Sequence, residues 1–182
     1  MIKRMSKATI DKNSPFVFDV RTVIREGMTP EYKTNRGASP TRIGPAMIAI
    51  KEDDEVEVDA VLTPLGDAVM VDATLRAQLS GECVRCLTAL HPDTELRVNV
   101  VFAAHDHLIQ GESGDDEEEA LPLVVDEHVD LLQAFLDEAG MNLPFNPVCP
   151  DGCAENDVPE PDGISGEEER IDARWAGLEK FL

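Results

Sequence analysis

The sequence predicts an α+β domain: an antiparallel sheet of short strands packed against one main helix, with a disordered acidic loop and tail. Three observations carry that prediction. Three stretches between residues 56 and 102 alternate apolar and polar side chains, the period of a strand with one face in a core. One later stretch, Val129, Leu131, Leu132, Phe135 and Leu136, spaces its apolar residues as a helix does. Two segments, 111–119 and 154–169, are too acidic and too poor in apolar residues to bury anything.

The elements follow in chain order. After a basic, mobile start, Ser14 to Val20 reads as a short strand. Residues 21–45 hold Gly27, Pro30, Gly37, Pro40, Gly44 and Pro45, breakers that predict loops with short strands or one turn of helix. Met47 to Ile50 is a short apolar run, read as another strand. Val56, Val58, Ala60 and Leu62 then alternate with Glu57, Asp59 and Val61. Pro64 to Asp67 is a turn, and Val69, Val71, Ala73, Leu75, Ala77 and Leu79 alternate after it, which makes an antiparallel hairpin. A third run places Leu96, Val98, Val100 and Phe102 opposite Arg97, Asn99 and Val101. The helix has a cap at Asp126 or Asp130 and is expected to break at Gly140. Ile171 to Leu182, with Trp175 and Leu178 on one face, is read as a short terminal helix. The organisation is therefore one domain over residues 1–150, with an acidic loop near 108–120, and a largely disordered acidic tail over 151–182.

A chain of 182 residues with 42% hydrophobic content can bury a real core, and with 4% aromatics that core rests on Val, Leu, Ile and Ala. No apolar run approaches the roughly 20 residues of a membrane span, and no apolar stretch follows the basic N-terminus as in a secretory signal. A soluble, cytoplasmic protein is expected. The formal charge of −21 is unevenly spread. Residues 1–51 carry ten Lys and Arg against four Asp and Glu, whereas residues 52–182 carry six against thirty-three. Such asymmetry suggests that the two parts meet different partners.

Four cysteines fall into two close pairs, Cys83/Cys86 and Cys149/Cys153. Cys-x2-Cys on a tight turn directs two thiolates at one point, and two such pairs would complete the tetrahedral shell that Zn²⁺ prefers. All four are therefore candidate zinc ligands. Reduced thiols without metal are the alternative, and a disulfide is the least favoured state in a reducing cytosol. A redox reading of Cys83-Val-Arg-Cys86 needs the pair at a helix start after a parallel strand, where the thiol pKa falls. The flanks here read as antiparallel strands instead. His91, His105, His107 and His128 form no ligand motif beyond His105-Asp-His107, and no phosphate loop, nucleophile elbow or His-Glu-x-x-His helix is present. No enzyme is predicted.

In this order the features resemble the YceD-like family of large ribosomal RNA subunit accumulation proteins, in its actinobacterial form. The matching residues are Phe16-Val-Phe-Asp-Val, the alternating hairpin, Gly81-Glu-Cys83-Val-Arg-Cys86-Leu87, the acidic loop and the apolar helix. They continue through Leu143-Pro-Phe-Asn-Pro-Val-Cys149, Cys153 and the ending Ile171-Asp-Ala-Arg-Trp-Ala-Gly-Leu-Glu. Many relatives continue past the position of Cys153 with Gly-Leu-Cys-x-x-Cys-Gly, where this chain has Ala154-Glu-Asn-Asp-Val-Pro. A zinc site built on that extra pair cannot exist here. Only one joining Cys83/Cys86 to Cys149/Cys153 remains.

The resemblance implies a role in accumulation or processing of large-subunit (23S) ribosomal RNA, with precursor RNA or a large-subunit ribosomal protein as partner. The residues supply candidates for phosphate contact in the basic first third, Arg21, Arg25, Lys33, Arg36 and Arg42, and Arg85 between the paired cysteines. Ordinary surface charge accounts for the same side chains. Two rival functions stay open: an acidic module that binds a basic ribosomal protein without touching RNA, and a thiol oxidoreductase on Cys83/Cys86.

Overall fold

Residues 10–104 and 121–153 are described by the computed structural model. In chain order they form β1 (Val17–Asp19), α1 (Arg21–Glu26), β2 (Glu31–Ala38), β3 (Ile48–Ala49), β4 (Glu55–Pro64) and β5 (Ala68–Gln78). There follow β6 (Ser80–Glu82), β7 (Ala89–Leu90), β8 (Asp93–Ala103), β9 (His128–Asp130) and α2 (Leu132–Asn142). The alternation of the three longest runs decides the architecture. Val56, Val58, Ala60 and Leu62 of β4, Val69, Val71, Ala73 and Leu75 of β5, and Leu96 and Phe102 of β8 are all buried. One face of the antiparallel sheet β2-β4-β5-β8 is thereby committed to the core.

That face is covered by the ribbon β1-β9 and by α2, which packs against β8. Phe16, Phe18, Val20, Val129, Leu131 and Phe135 fill the space between. The rings of Phe16 and Phe135 meet at 5.8 Å between centroids, tilted by 58°. Each such side chain contributes about 1.5–3 kcal/mol by leaving water. β1 is tied across to β2 by side chains: Asn35 Nδ2 donates to the Val17 carbonyl at 2.8 Å, and Lys33 Nζ donates to the Asp19 carbonyl. The opposite face of the sheet carries a charged lattice in which Arg76 bridges Asp59 and Glu95, and Arg36 pairs with Glu57.

A second sheet, β3-β6-β7, continues past the end of the long hairpin. Gly81 of β6 lies opposite Ile48 of β3, and a Cβ there would stand 2.5 Å from the Met47 carbonyl oxygen. Only glycine permits that approach. This close pairing sets where the loop between β6 and β7 is held.

The sheet-dominated α+β architecture agrees with expectation in its coarse form. Three details are corrected. The principal strands are long, at 10 residues for β4 and 11 each for β5 and β8. Residues 21–45 hold a six-residue helix ended by Gly27 in the left-handed region at φ 59°, and an eight-residue strand β2. Gly140 does not break α2, which runs to Asn142. The glycine is exposed with nothing within 4 Å of a built Cβ, so it costs only its intrinsic propensity, about 1 kcal/mol. Of the two expected caps, the Asp130 carboxylate accepts from Leu132 N at 2.9 Å, while Asp126 lies in the turn that reverses the chain before β9. The acidic loop and the terminal helix expected near Trp175 lie outside the described residues.

Candidate metal centre

β6 and β7 pair Gly81 with Leu90 and Glu82 with Ala89, leaving residues 83–88 to turn the chain. The turn is tight. Cys83 N donates to the Thr88 carbonyl and Leu87 N to the Cys83 carbonyl, both at 2.9 Å. Closing it puts Leu87 at φ 59°, a conformation that costs a branched side chain roughly 1–2 kcal/mol. From the other side, the segment after α2 is pinned to this turn by Val84 N donating to the Pro147 carbonyl at 2.9 Å. Gly152, at φ 85°, then folds the chain back so that its N–H reaches the Cys149 carbonyl at 3.2 Å.

All four sulfurs meet at this junction. Cys83 Sγ lies 3.6 Å from Cys153 Sγ, Cys86 Sγ lies 3.5 Å from Cys149 Sγ, and all four are within 4.8 Å of one another. A tetrahedral zinc with about 2.3 Å bonds to sulfur requires sulfur–sulfur separations of about 3.8 Å. The four cysteines come close to that requirement, and the separations exclude a disulfide, whose bond is about 2.05 Å. Cys83 is buried and the other three are half-buried. The pair therefore sits on a β-hairpin, not at the start of a helix as a thioredoxin-like pair would.

The electrostatics ask for a cation. The Cys83 thiol is brought down to about 6, chiefly by the backbone N–H of Cys86 and then those of Arg85 and Cys149. Cys86 is lowered by the Thr88 hydroxyl and N–H. Cys149 is driven up to about 12 by the sulfurs of Cys86 and Cys83, and Cys153 is raised by desolvation and the same two sulfurs. Two thiolates are favoured and two opposed, because four negative sulfurs repel one another. A divalent metal would remove that conflict, since it binds every thiol as thiolate.

The expected phosphate-binding residues scatter. Arg21 and Arg25 both bind the Glu127 carboxylate, at 2.6 and 2.8 Å. Lys33 pairs with Glu31 at 3.0 Å and Arg36 with Glu57. Arg42 donates to the carbonyls of Pro45 and Ala46, at 2.6 and 2.7 Å, and has no carboxylate partner among the described residues. Arg85 is exposed at the tip of the turn and has no side-chain partner among the described residues either. Only these last two stand near the cysteines. Lys51, and His91, which forms no ligand motif in the sequence, share a shallow hollow with Arg42. Lys51 lies across from Arg42 because Ile43 and Ile50 form a β-bridge. A second, mostly apolar hollow of about 510 Å³ adjoins the first, lined by His91, Pro144, Pro147 and Val148 among others. Among the described residues no helix is long and apolar enough to cross a membrane.

Comparisons with known proteins place the chain in a family. The family described as "Large ribosomal RNA subunit accumulation protein YceD" matches residues 71–182, a span that includes all four cysteines. An uncharacterized protein of Mycobacterium tuberculosis is 34% identical over 148 residues, covering 79% of this chain and 70% of its own. An uncharacterized protein of Mycobacterium leprae is 33% identical over 176 residues, covering 93% of this chain and 78% of its own. No solved structure matches the chain.

Proposed function

Because this chain belongs to the YceD family of large ribosomal RNA subunit accumulation proteins, we propose that it is a non-enzymatic cytoplasmic factor in ribosome assembly. Its work is to support accumulation and processing of large-subunit (23S) ribosomal RNA. The observation that carries this reading is the family match over 71–182, which spans a four-sulfur cluster suited to a structural clamp. The partner is precursor large-subunit RNA or a large-subunit ribosomal protein. The candidate contacts are Arg21, Arg25, Lys33, Arg36, Arg42 and Arg85, on a working domain of residues 1–150.

The cofactor is zinc, held by Cys83, Cys86, Cys149 and Cys153. Four thiolates close the coordination shell, so the ion would cross-link the β6–β7 turn to the segment after α2 and leave no open position for catalysis. The pairing of Arg21, Arg25 and Arg36 with carboxylates favours the second reading, an acidic module that holds a basic ribosomal protein.

Depletion in the native host, with quantification of large- against small-subunit RNA, tests the function. A selective fall in the large-subunit RNA is expected; an unchanged ratio refutes it. Association with a ribosomal protein that survives ribonuclease would select the second reading.

A further inference from the structure

The chain is strongly acidic, and most of its described basic side chains are already neutralised. Arg21, Arg25, Lys33, Arg36, Arg76 and Arg97 each lie against a carboxylate. Four have no carboxylate partner among the described residues: Lys12, which precedes β1, and three that gather at one end. Arg42 and Lys51 face each other across the Ile43–Ile50 bridge and share a hollow with His91, where Glu82 is the single acid in the lining. Arg85 projects from the turn that closes the same three-stranded sheet.

Apolar groups are left exposed on the β6–β7 turn and on the segment that Val84 N pins to it. Leu87 is 69% exposed, Phe145 65% and Val148 51%. Leu87 also occupies a left-handed conformation that glycine would adopt without strain, so its exposed side chain brings the fold a cost and no burial. His91 and Ala89 line both the cationic hollow and the apolar one, which makes the two a continuous surface on either side of β7.

A surface that sets cations without a carboxylate partner among the described residues beside apolar shelves fits single-stranded nucleic acid. Phosphates need the cations, and unstacked bases need flat apolar or aromatic faces. A duplex would offer its charges without its bases. We infer that this face of the β3-β6-β7 sheet binds single-stranded RNA, with phosphates on Arg42, Lys51 and Arg85 and an unstacked base in the hollow beside His91. This rests on the ribosomal reading above and narrows it. Of the six cations proposed there, two belong to the surface, and Lys51 and His91 join them.

The test uses the full chain and a labelled twelve-nucleotide oligouridylate in a salt titration, with a double-stranded RNA of equal length beside it. Lys51 and Arg85 make no side-chain hydrogen bond among the described residues, so a Lys51→Gln/Arg85→Gln variant is expected to keep the wild-type melting temperature. Losing two phosphate contacts lowers the slope of log affinity against log salt by about 1.4. The affinity lost between 50 and 200 mM salt then shrinks roughly sevenfold. Arg97→Gln, a change at a side chain that pairs with Glu95 on the long sheet, is expected to leave the slope unchanged.

An unchanged slope in the first variant, a lowered one in the second, or equal binding of the duplex would overturn the inference. So would particle association that survives ribonuclease yet is lost in the Lys51/Arg85 variant, which would assign this face to a protein. The two readings fail separately. If depletion lowers large-subunit RNA and the Lys51/Arg85 variant restores it fully, the surface is wrong while the function stands.

Discussion

Replacing Cys149 by Ser tests the centre most directly, because its sulfur stands 3.5 Å from Cys86 and anchors the segment that returns after α2. Structural zinc sites in small domains bind with about 10–16 kcal/mol at neutral pH. Divided over four thiolates, that is roughly 2.5–4 kcal/mol for each, or a loss of about 10²–10³ in zinc affinity. The damage should be local. The sheet β2-β4-β5-β8 and its core lie elsewhere, whereas the returning segment meets the β6–β7 turn through the sulfurs and the hydrogen bond from Val84 N to Pro147. Titration of the purified protein against a colorimetric zinc chelator reads the affinity, and hydrogen exchange at the Val84 amide reads the clamp. The expected outcome is one zinc per wild-type chain, a weakened site in Cys149→Ser, and faster exchange at Val84 with far-ultraviolet circular dichroism unchanged. If Cys149→Ser competes with the chelator as well as the wild type does, the reasoning from sulfur geometry is refuted.

Three further outcomes probe the scaffold. Gly81→Ala forces a methyl to within 2.5 Å of the Met47 carbonyl and should destabilise the protein by about 1–3 kcal/mol; an unchanged urea midpoint would show that β3 and β6 do not pair as described. Phe135→Ala empties the fully buried position against Phe16 and should cost about 3–5 kcal/mol in the same unfolding assay, a value below 1 being incompatible with that packing. Acid should destabilise. Asp19 is held below its ordinary 3.8 chiefly by the Arg21 N–H, Asp59 by the Thr34 hydroxyl, and Glu95 and Glu127 below 4.5 by Arg97 and Arg21. Groups lowered in the fold stabilise it fully above their unfolded values and lose that contribution as pH falls through the folded ones. The unfolding midpoint should therefore drop below about pH 4.5, less so in 1 M salt, and a midpoint that rises on acidification contradicts these pairings.

The long strands were legible because every inward position from Val56 to Leu62 and from Val69 to Leu75 is apolar, and a one-residue slip would turn that whole set to solvent. β2 was not legible. It alternates too, but with Glu31, Lys33 and Asn35 half-buried, and their polar ends are satisfied by carbonyls of β1 and by neighbouring charge. Hydropathy cannot register a strand whose inner face is polar. Gly27 and Pro30, read as signs of an irregular segment, mark the end of α1 and the entry to β2. Asp126 and Glu127 occupy left-handed conformations at φ 50° and 64° between Val125 and His128, which exchange both backbone hydrogen bonds. Asn-Gly in that place would have signalled a two-residue hairpin; Asp-Glu did not.

The cysteines were legible as two pairs, but not their meeting. The convergence depends on β6 lying against β3 at Gly81 and on α2 delivering Pro147 to the Val84 amide, two long-range contacts with no local signature. Once they exist, the cluster and the surface beside it become parts of one arrangement. The turn that brings Cys83 and Cys86 together is the same turn that presents Arg85 and strains Leu87, and the segment that brings Cys149 and Cys153 also presents Phe145 and Val148. A metal clamp on those four sulfurs would fix the positions of all four exposed side chains at once. Loss of the metal should thus weaken RNA binding by loosening the surface, even with Arg42 and Lys51 intact. Chelated protein that binds the oligouridylate with wild-type affinity would separate the two sites and leave the cysteines a purely local role.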